Sequence, residues 1–323
     1  MSTAKDSLRF QQKFLYDRGA SPLDRACPYS PRPTDIIICG ARRTGTTWLQ
    51  HILHEIRTKG TPEEYCAGDT VDVDQLVPYI PPYYERLECD LNREQVPADQ
   101  PRLYKSHECF EDAPKLTHAH LRYVVIVRDP LDVVWSEKVS RYRQLGFDED
   151  VRDTYDLLRP FGVRPDGSQT DSYWDHMLSW WPHRHDPNVF WLHYEDLMAD
   201  LASCIRMLAE FVDIPLSDAE LKCVHDRCTL AWMSENRGRF SGRYLAQLRA
   251  VTLGMKYRTP LVAGLRADGG VAGQGECRLD KGIKRIVHSY WRSYIEPLTG
   301  YPSYKAVHAD TSPLTGRGNG RKG

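Results

Sequence analysis

The chain has 323 residues, enough to bury a full core as one large domain or two small ones. Its composition, 41% apolar and 27% charged, is that of a soluble globular protein, and a net charge of -1 excludes any general attraction to nucleic acid or an anionic membrane. Any anion site must therefore be local.

No window approaches the roughly 18 apolar residues that a membrane-spanning helix needs. The opening "MSTAKDSLRFQQKF" lacks the apolar core of a signal peptide. Nine cysteines make an odd count without metal spacing. Cys223 and Cys228 flank His225 but no second ligand pair follows, so the cysteines read as free thiols in a reducing cytoplasm and no metal is expected.

In chain order, residues 1–33 read as an irregular, Pro-punctuated lead-in ending in "PYSPRP". Short apolar runs of the kind buried in parallel sheets follow at 35–39, 102–106, 122–127 and 189–193. Helical periods separate them. Trp48, Leu49, Ile52, Leu53 and Ile56 share one helical face, and further helices are predicted over 131–143, 172–181, 197–212 and 279–298. Strands alternating with helices predict an α/β fold, a single domain over 34–305 with a central parallel sheet flanked by helices. Stretches 60–100, 145–170 and 235–278 fit neither period and read as covering or substrate-facing segments. The polar tail 306–323 reads as disordered.

Between the first strand and the first helix lies "GARRTGTTW", Gly40 to Trp48. A strand, a glycine-containing turn and a helix N-terminus together present backbone N–H groups and a positive dipole end to an anion. Gly40 and Gly45 permit the tight turn, Thr44, Thr46 and Thr47 add hydroxyls, and Arg42 and Arg43 bring charge. In a nucleoside-triphosphate loop, a lysine followed by Ser or Thr holds the β/γ-phosphates and magnesium. Thr46 occupies the lysine position here, and the strand "RYVVIV" ends at Arg128 before Asp129. The loop fits a 5′-phosphate compound without β/γ-phosphates.

"PRPTDIIICGARRTGTTWLQ" resembles the 5′-phosphosulfate loop of the cytosolic-type sulfotransferases. "RYVVIVRDPLDVVWSEK" is similar to their second signature, with Arg128 ending a strand and Ser136 eight residues on. "PRLYKSHECF" resembles the strand that ends in Lys-[ST]-His, and "NVFWLHYEDLMADL" the strand followed by Tyr-Glu-Asp and a helix. Four motifs in order span roughly residues 31–212. Beyond residue 225 the likeness thins. "CTLAWM" puts Leu230 where the family has an adenine-contacting Phe, and "RADGGVAG", from Arg266 to Gly273, is the nearest candidate for the loop that clamps a 3′-phosphate.

The resemblance implies a P-loop NTPase-like sulfotransferase fold. It also implies a donor, 3′-phosphoadenosine 5′-phosphosulfate (PAPS), which leaves as adenosine 3′,5′-bisphosphate (PAP). The sulfuryl group passes in line to a hydroxyl or amine of a small-molecule acceptor. His107 is implied as the base, and a neutral imidazole with a pKa of about 6.5 suits that task. Arg43, Lys105 and the N–H groups of residues 45–47 are implied to stabilise the departing nucleotide. Residues Arg43, Thr44, Gly45, Thr46, Thr47 and Trp48, with Arg128, Ser136, Tyr194, Leu230 and Arg266, are implied to bind the nucleotide. Arg128 and Ser136 would take the 3′-phosphate and Trp48 would stack on adenine, with a core position as its alternative.

His183, His185 and His193 read as structural. Segment 70–90 and Tyr173, Trp174, Trp180 and Trp181 are candidates for an acceptor pocket, but an aromatic stripe of this kind is more often core. Two alternatives stay open: an inactive binder of 3′-phosphoadenosine nucleotides, and an atypical P-loop kinase. Oligomeric state is open.

Overall fold

The computed structural model describes residues 32–61, 71–78, 80, 96, 100–111, 113, 121–145, 173–242 and 270–315. Within them the four predicted strands form at Ile36–Cys39 (β1), Leu103–Ser106 (β2), Arg122–Val127 (β3) and Val189–His193 (β4). They pair in the order β2-β1-β3-β4, all parallel, with Ile36 opposite both Leu103 and Arg122 and with Val127 opposite His193. Sheet and flanking helices make a single-domain α/β fold.

Side chains alternate across a strand, so each short run feeds two cores. Ile36, Ile38, Leu103, Val124, Ile126, Phe190 and Leu192 pack on one face with the helices Thr46–Arg57 (α1), Val73–Leu76 (α2) and Leu201–Phe211. Ile37, Cys39, Tyr104, Tyr123, Val125, Val127 and Trp191 pack on the other with the helix Tyr173–Trp180 and with Trp291. Burial on both faces is why these strands read as continuous apolar runs.

At the amino-terminal edge, buried Arg102 and Asp35 tie β1 to β2. Arg102 Nε donates to Asp35 Oδ1 at 2.7 Å and Nη2 donates to Oδ2 at 2.5 Å.

Two predicted helices are subdivided. The run 197–212 breaks at Asp200, which is extended at φ -150 and whose Oδ1 accepts the Ser203 amide at 2.9 Å, so Tyr194–Ala199 and Leu201–Phe211 form separately. The run 279–298 becomes Lys281–Tyr290, a π turn over Trp291–Ile295 and a last turn Glu296–Thr299.

The tail expectation is corrected. Residues Tyr304–Thr311 form a helix begun by the Ser303 cap, and a 3₁₀ turn follows at Pro313–Thr315. The polar side chains it turns inward find partners there, so their polarity does not prevent docking. Tyr304 donates its hydroxyl to Glu195 Oε2 at 2.6 Å and lies 2.9 Å from His193 Nδ1. His308 Nε2 and Ser312 Oγ both reach Asp196 Oδ1, at 2.8 and 2.6 Å. Residues 316–323 lie outside the described residues. No described helix is long and apolar enough to cross a membrane.

Candidate active site

The carboxyl ends of the four strands converge on one edge of the sheet, where ligands bind in open α/β folds. After β1, the chain turns sharply. Arg43 takes φ 70 and Gly45 φ 106, and α1 starts at Thr46. A Cβ on Gly45 would lie 2.6 Å from the Tyr194 ring, so only glycine lets the loop pass that ring. Thr44 donates its hydroxyl to the Ala41 carbonyl at 2.7 Å and braces the loop from within. No side chain caps α1, and the Thr46 and Thr47 amides have no partner among the described residues. Those N–H groups are the unpaired donors that suit an anion.

His107 follows β2. Its Nδ1 donates to the Gly40 carbonyl at 2.5 Å, which makes Nε2 the basic nitrogen. Burial, then the nearby Lys105 charge, pushes its pKa well below 6.5, so the imidazole is neutral. Lys105, two residues earlier on the same face of the strand, has its own pKa lowered by burial. Asp74 opposes that shift, and Arg42 and Arg43 reinforce it. The expected base and the two expected cations therefore share one electrostatic neighbourhood.

Arg128 follows β3 and is buried. Its Nη2 donates to the Gly270 carbonyl at 3.1 Å and lies 3.6 Å from Asp132 Oδ2, and its guanidinium stacks 3.9 Å above the Tyr194 ring. Its Nε is buried with no hydrogen-bond partner among the described residues. Ser136, eight residues on, lies on the helix Pro130–Leu145 (α3) and accepts from Arg43 Nε at 3.1 Å rather than meeting Arg128. Asp132 and Ser136, one helical turn apart, so serve the two arginines separately.

Tyr194 opens the helix after β4 and donates its hydroxyl to the Gly270 carbonyl at 2.7 Å. Trp48 is buried in the α1-side core. It donates to the Cys228 carbonyl at 2.7 Å and meets Tyr194 edge-on at 5.5 Å, so packing occupies the ring expected to stack on adenine. Leu230 is half-buried against the same core. Arg266 lies outside the described residues, but the end of its segment, Gly270 to Gly273, reaches Arg128 and Tyr194. Tyr173, Trp174, Trp180 and Trp181 belong to the opposite core, the place favoured for the aromatic stripe over an acceptor pocket. Residues 81–90 of the other expected pocket segment lie outside the described residues.

Sequence reasoning did not single out Asp132, although its spacing four residues after Arg128 on a helix was available. Nor did it single out His176. That residue is buried, its Nε2 has no partner, its pKa is lowered to about 3 by burial, and its charge would oppose that of His107.

The sulfotransferase domain model matches residues 33–256 of the chain. Sulfotransferase 6B1 of Danio rerio is 26% identical over 245 residues, which cover 74% of this chain and 78% of that protein. The amine sulfotransferase of Oryctolagus cuniculus is 27% identical over 209 residues, 64% of this chain and 65% of its own. A crystal structure of retinol dehydratase in complex with retinol and PAP superposes with a TM-score of 0.60 at 19% identity, over 84% of this chain and 83% of that one. Mouse sulfotransferase SULT7A1 complexed with PAP gives 0.56 at 17%, over 87% and 90%. At those identities the structural likeness speaks to the fold, while the match over 33–256 speaks to descent. On that match, over more than half of its length, the chain belongs to the sulfotransferase family.

Proposed function

We propose that this protein transfers a sulfuryl group from PAPS to a hydroxyl or amine of a small-molecule acceptor, without a metal and in the cytoplasm. The observation that carries the proposal is the His107 contact with Gly40, which joins the base to the first residue of the phosphate loop at 2.5 Å. The residues present fit the nucleotide. The unpaired Thr46 and Thr47 amides and the orphaned Arg128 Nε are donors in need of anionic acceptors. Relatives crystallised with PAP support the nucleotide, and the retinol and androsterone in two of those complexes support a small, apolar acceptor. The catalytic domain is proposed to begin at residue 34 and to run past 305, to at least 315.

In this reading the donor supplies the sulfuryl group and departs as PAP. His107 Nε2 takes the acceptor proton while the acceptor oxygen or nitrogen bonds to sulfur and the bond from sulfur to the bridging phosphate oxygen breaks. Arg43, Lys105 and the amides at the head of α1 stabilise the charge that develops on that oxygen, as preorganised donors. A depressed His107 pKa keeps the base unprotonated, and the negative charge in the reacting centre offsets the cost of the imidazolium beside Lys105. Arg128 takes the 3′-phosphate, and Ser136 acts through Arg43.

The test is thermal stabilisation by PAP, AMP and ATP, followed by transfer from labelled PAPS to a panel of alcohols, phenols and amines. A ligand that binds only the native state raises its stability by RT ln(1 + [L]/Kd). PAP should stabilise most, and at least one acceptor should be sulfated. PAP binding without transfer to any acceptor would identify an inactive binder, and magnesium-dependent ATP hydrolysis would identify a kinase.

A further inference from the structure

Asp132 has no place in the proposed chemistry, yet its carboxylate has three partners, Arg128 among them. The side chain is buried. Its Oδ1 accepts the Gly275 amide at 2.7 Å, its Oδ2 accepts the Gly273 amide at 2.8 Å, and Oδ2 is also 3.6 Å from Arg128 Nη2. One carboxylate thus joins the strand-end arginine to a glycine-rich segment about 140 residues away.

That segment is held at other points too. A Cβ on Gly275 would lie 2.2 Å from the Leu131 carbonyl carbon, so the two backbones touch as only glycine allows. Trp135 Nε1 donates to Gln274 Oε1 at 2.9 Å. Gly270, at φ +64, turns its carbonyl toward both Arg128 Nη2 and the Tyr194 hydroxyl, at 3.1 and 2.7 Å. These contacts consume Arg128 Nη2 and fix the plane of the guanidinium over Tyr194, while Nε keeps no partner.

We infer that Asp132 is a positioning residue for the 3′-phosphate. It pins Gly270–Gly275 onto α3, and that pinned segment aims Arg128 so that its unpartnered Nε is available to the 3′-phosphate. This rests on the nucleotide reading above. Its physical content is that a guanidinium N–H donates well only along its own plane, so loss of the clasp misdirects the bond and removes affinity without removing charge. The 5′-phosphate end, held by the α1 amides, is not tied to Asp132 by any contact described.

Asp132→Asn tests it. An amide presents an N–H donor where a carboxylate accepts, so one of the two glycine amides loses its partner and Arg128 loses its counter-charge. Dissociation constants for PAP and AMP are measured on parent and variant by titration calorimetry. The variant should bind PAP at least about tenfold more weakly, the scale of one charge-assisted bond. Its AMP affinity should stay within about twofold, because AMP lacks the 3′-phosphate. Equal loss for both ligands would make Asp132 a merely structural residue, and an unchanged PAP preference would remove it from the site, so either result overturns the proposal. If Asp132→Asn does not fold, Gly275→Ala breaks the same clasp from the opposite backbone and must show the same PAP-selective loss. A parent protein with no preference for PAP over AMP would overturn the nucleotide reading itself, and with it this one.

Discussion

Arg43 and Ser136 are 93 residues apart in the chain and meet with Arg43 Nε 3.1 Å from Ser136 Oγ. The loop arginine and the serine of the second signature, expected at opposite ends of the nucleotide, are neighbours. Glu137 adds a carboxylate 3.8 Å from the same Nε. The Arg43 Nε is thus engaged by two side chains of α3. Arg43→Ala should lower kcat by about 10²-fold or more while Kd for PAP changes far less, since its charge matters most as the leaving oxygen becomes negative. Arg43→Lys should keep substantial activity, and Ser136→Ala should cost only a few-fold in kcat. Steady-state kinetics beside PAP titration separates these effects, and a lysine variant as inactive as alanine would show that the planar fork is required.

His107→Ala should fold and bind PAP as the parent does, yet lose transfer by roughly 10²–10⁴-fold. An ionised phenolate acceptor should suffer less than an aliphatic alcohol, because it has no proton to give up. Activity of the variant toward an aliphatic alcohol at the parental rate would refute the assignment of the base.

The pH profile follows from the environment of His107. Burial and Lys105 lower its pKa below 6.5, so the basic form persists on mild acidification and is lost only under more acidic conditions. The rate should therefore hold level through pH 6.5 and decline only well below it. Lys105→Met removes a repelling cation, which should move the acidic limb toward higher pH while also lowering kcat. Comparing the two pH–rate profiles checks the sign, and a limb that moves down in the variant would contradict it.

Asp35 and Arg102 make a buried bidentate pair beneath β1 and β2. Asp35→Ala would remove the carboxylate from a buried ion pair while its guanidinium stays buried, which costs about 3–5 kcal/mol. Urea unfolding should show that loss, and a double replacement of both residues by apolar side chains should recover part of it.

Tyr304 bridges the carboxyl-terminal helix to the site's lower tier. It links His193 to Glu195, and Glu195 Oε1 in turn accepts the Asp129 amide beside Arg128 at 3.1 Å. Tyr304→Phe keeps the ring but strands two buried polar groups, which should cost about 1–3 kcal/mol in thermal or urea unfolding. Truncation after residue 303 should be worse, since Val307 and Thr311 would also leave buried positions.

The sequence by itself determined the four strands, the loop between β1 and α1, and the strand-end positions of His107 and Arg128. Those features are written locally. A strand buried on both faces is a continuous apolar run, and a loop that must pass under an aromatic ring at φ 106 needs a glycine at that position. What only the tertiary structure decided were partners far apart in the chain. Ser136 serves Arg43 rather than Arg128, Trp48 spends its ring in the core, and Asp132 clasps a segment about 140 residues on. The tail is the clearest case. Its polar residues look unable to fold when each is weighed alone, but His308, Ser312 and Tyr304 find Asp196, His193 and Glu195 waiting inside. Polarity opposes burial only where no partner is present, and a partner in another part of the chain leaves no trace in the local pattern.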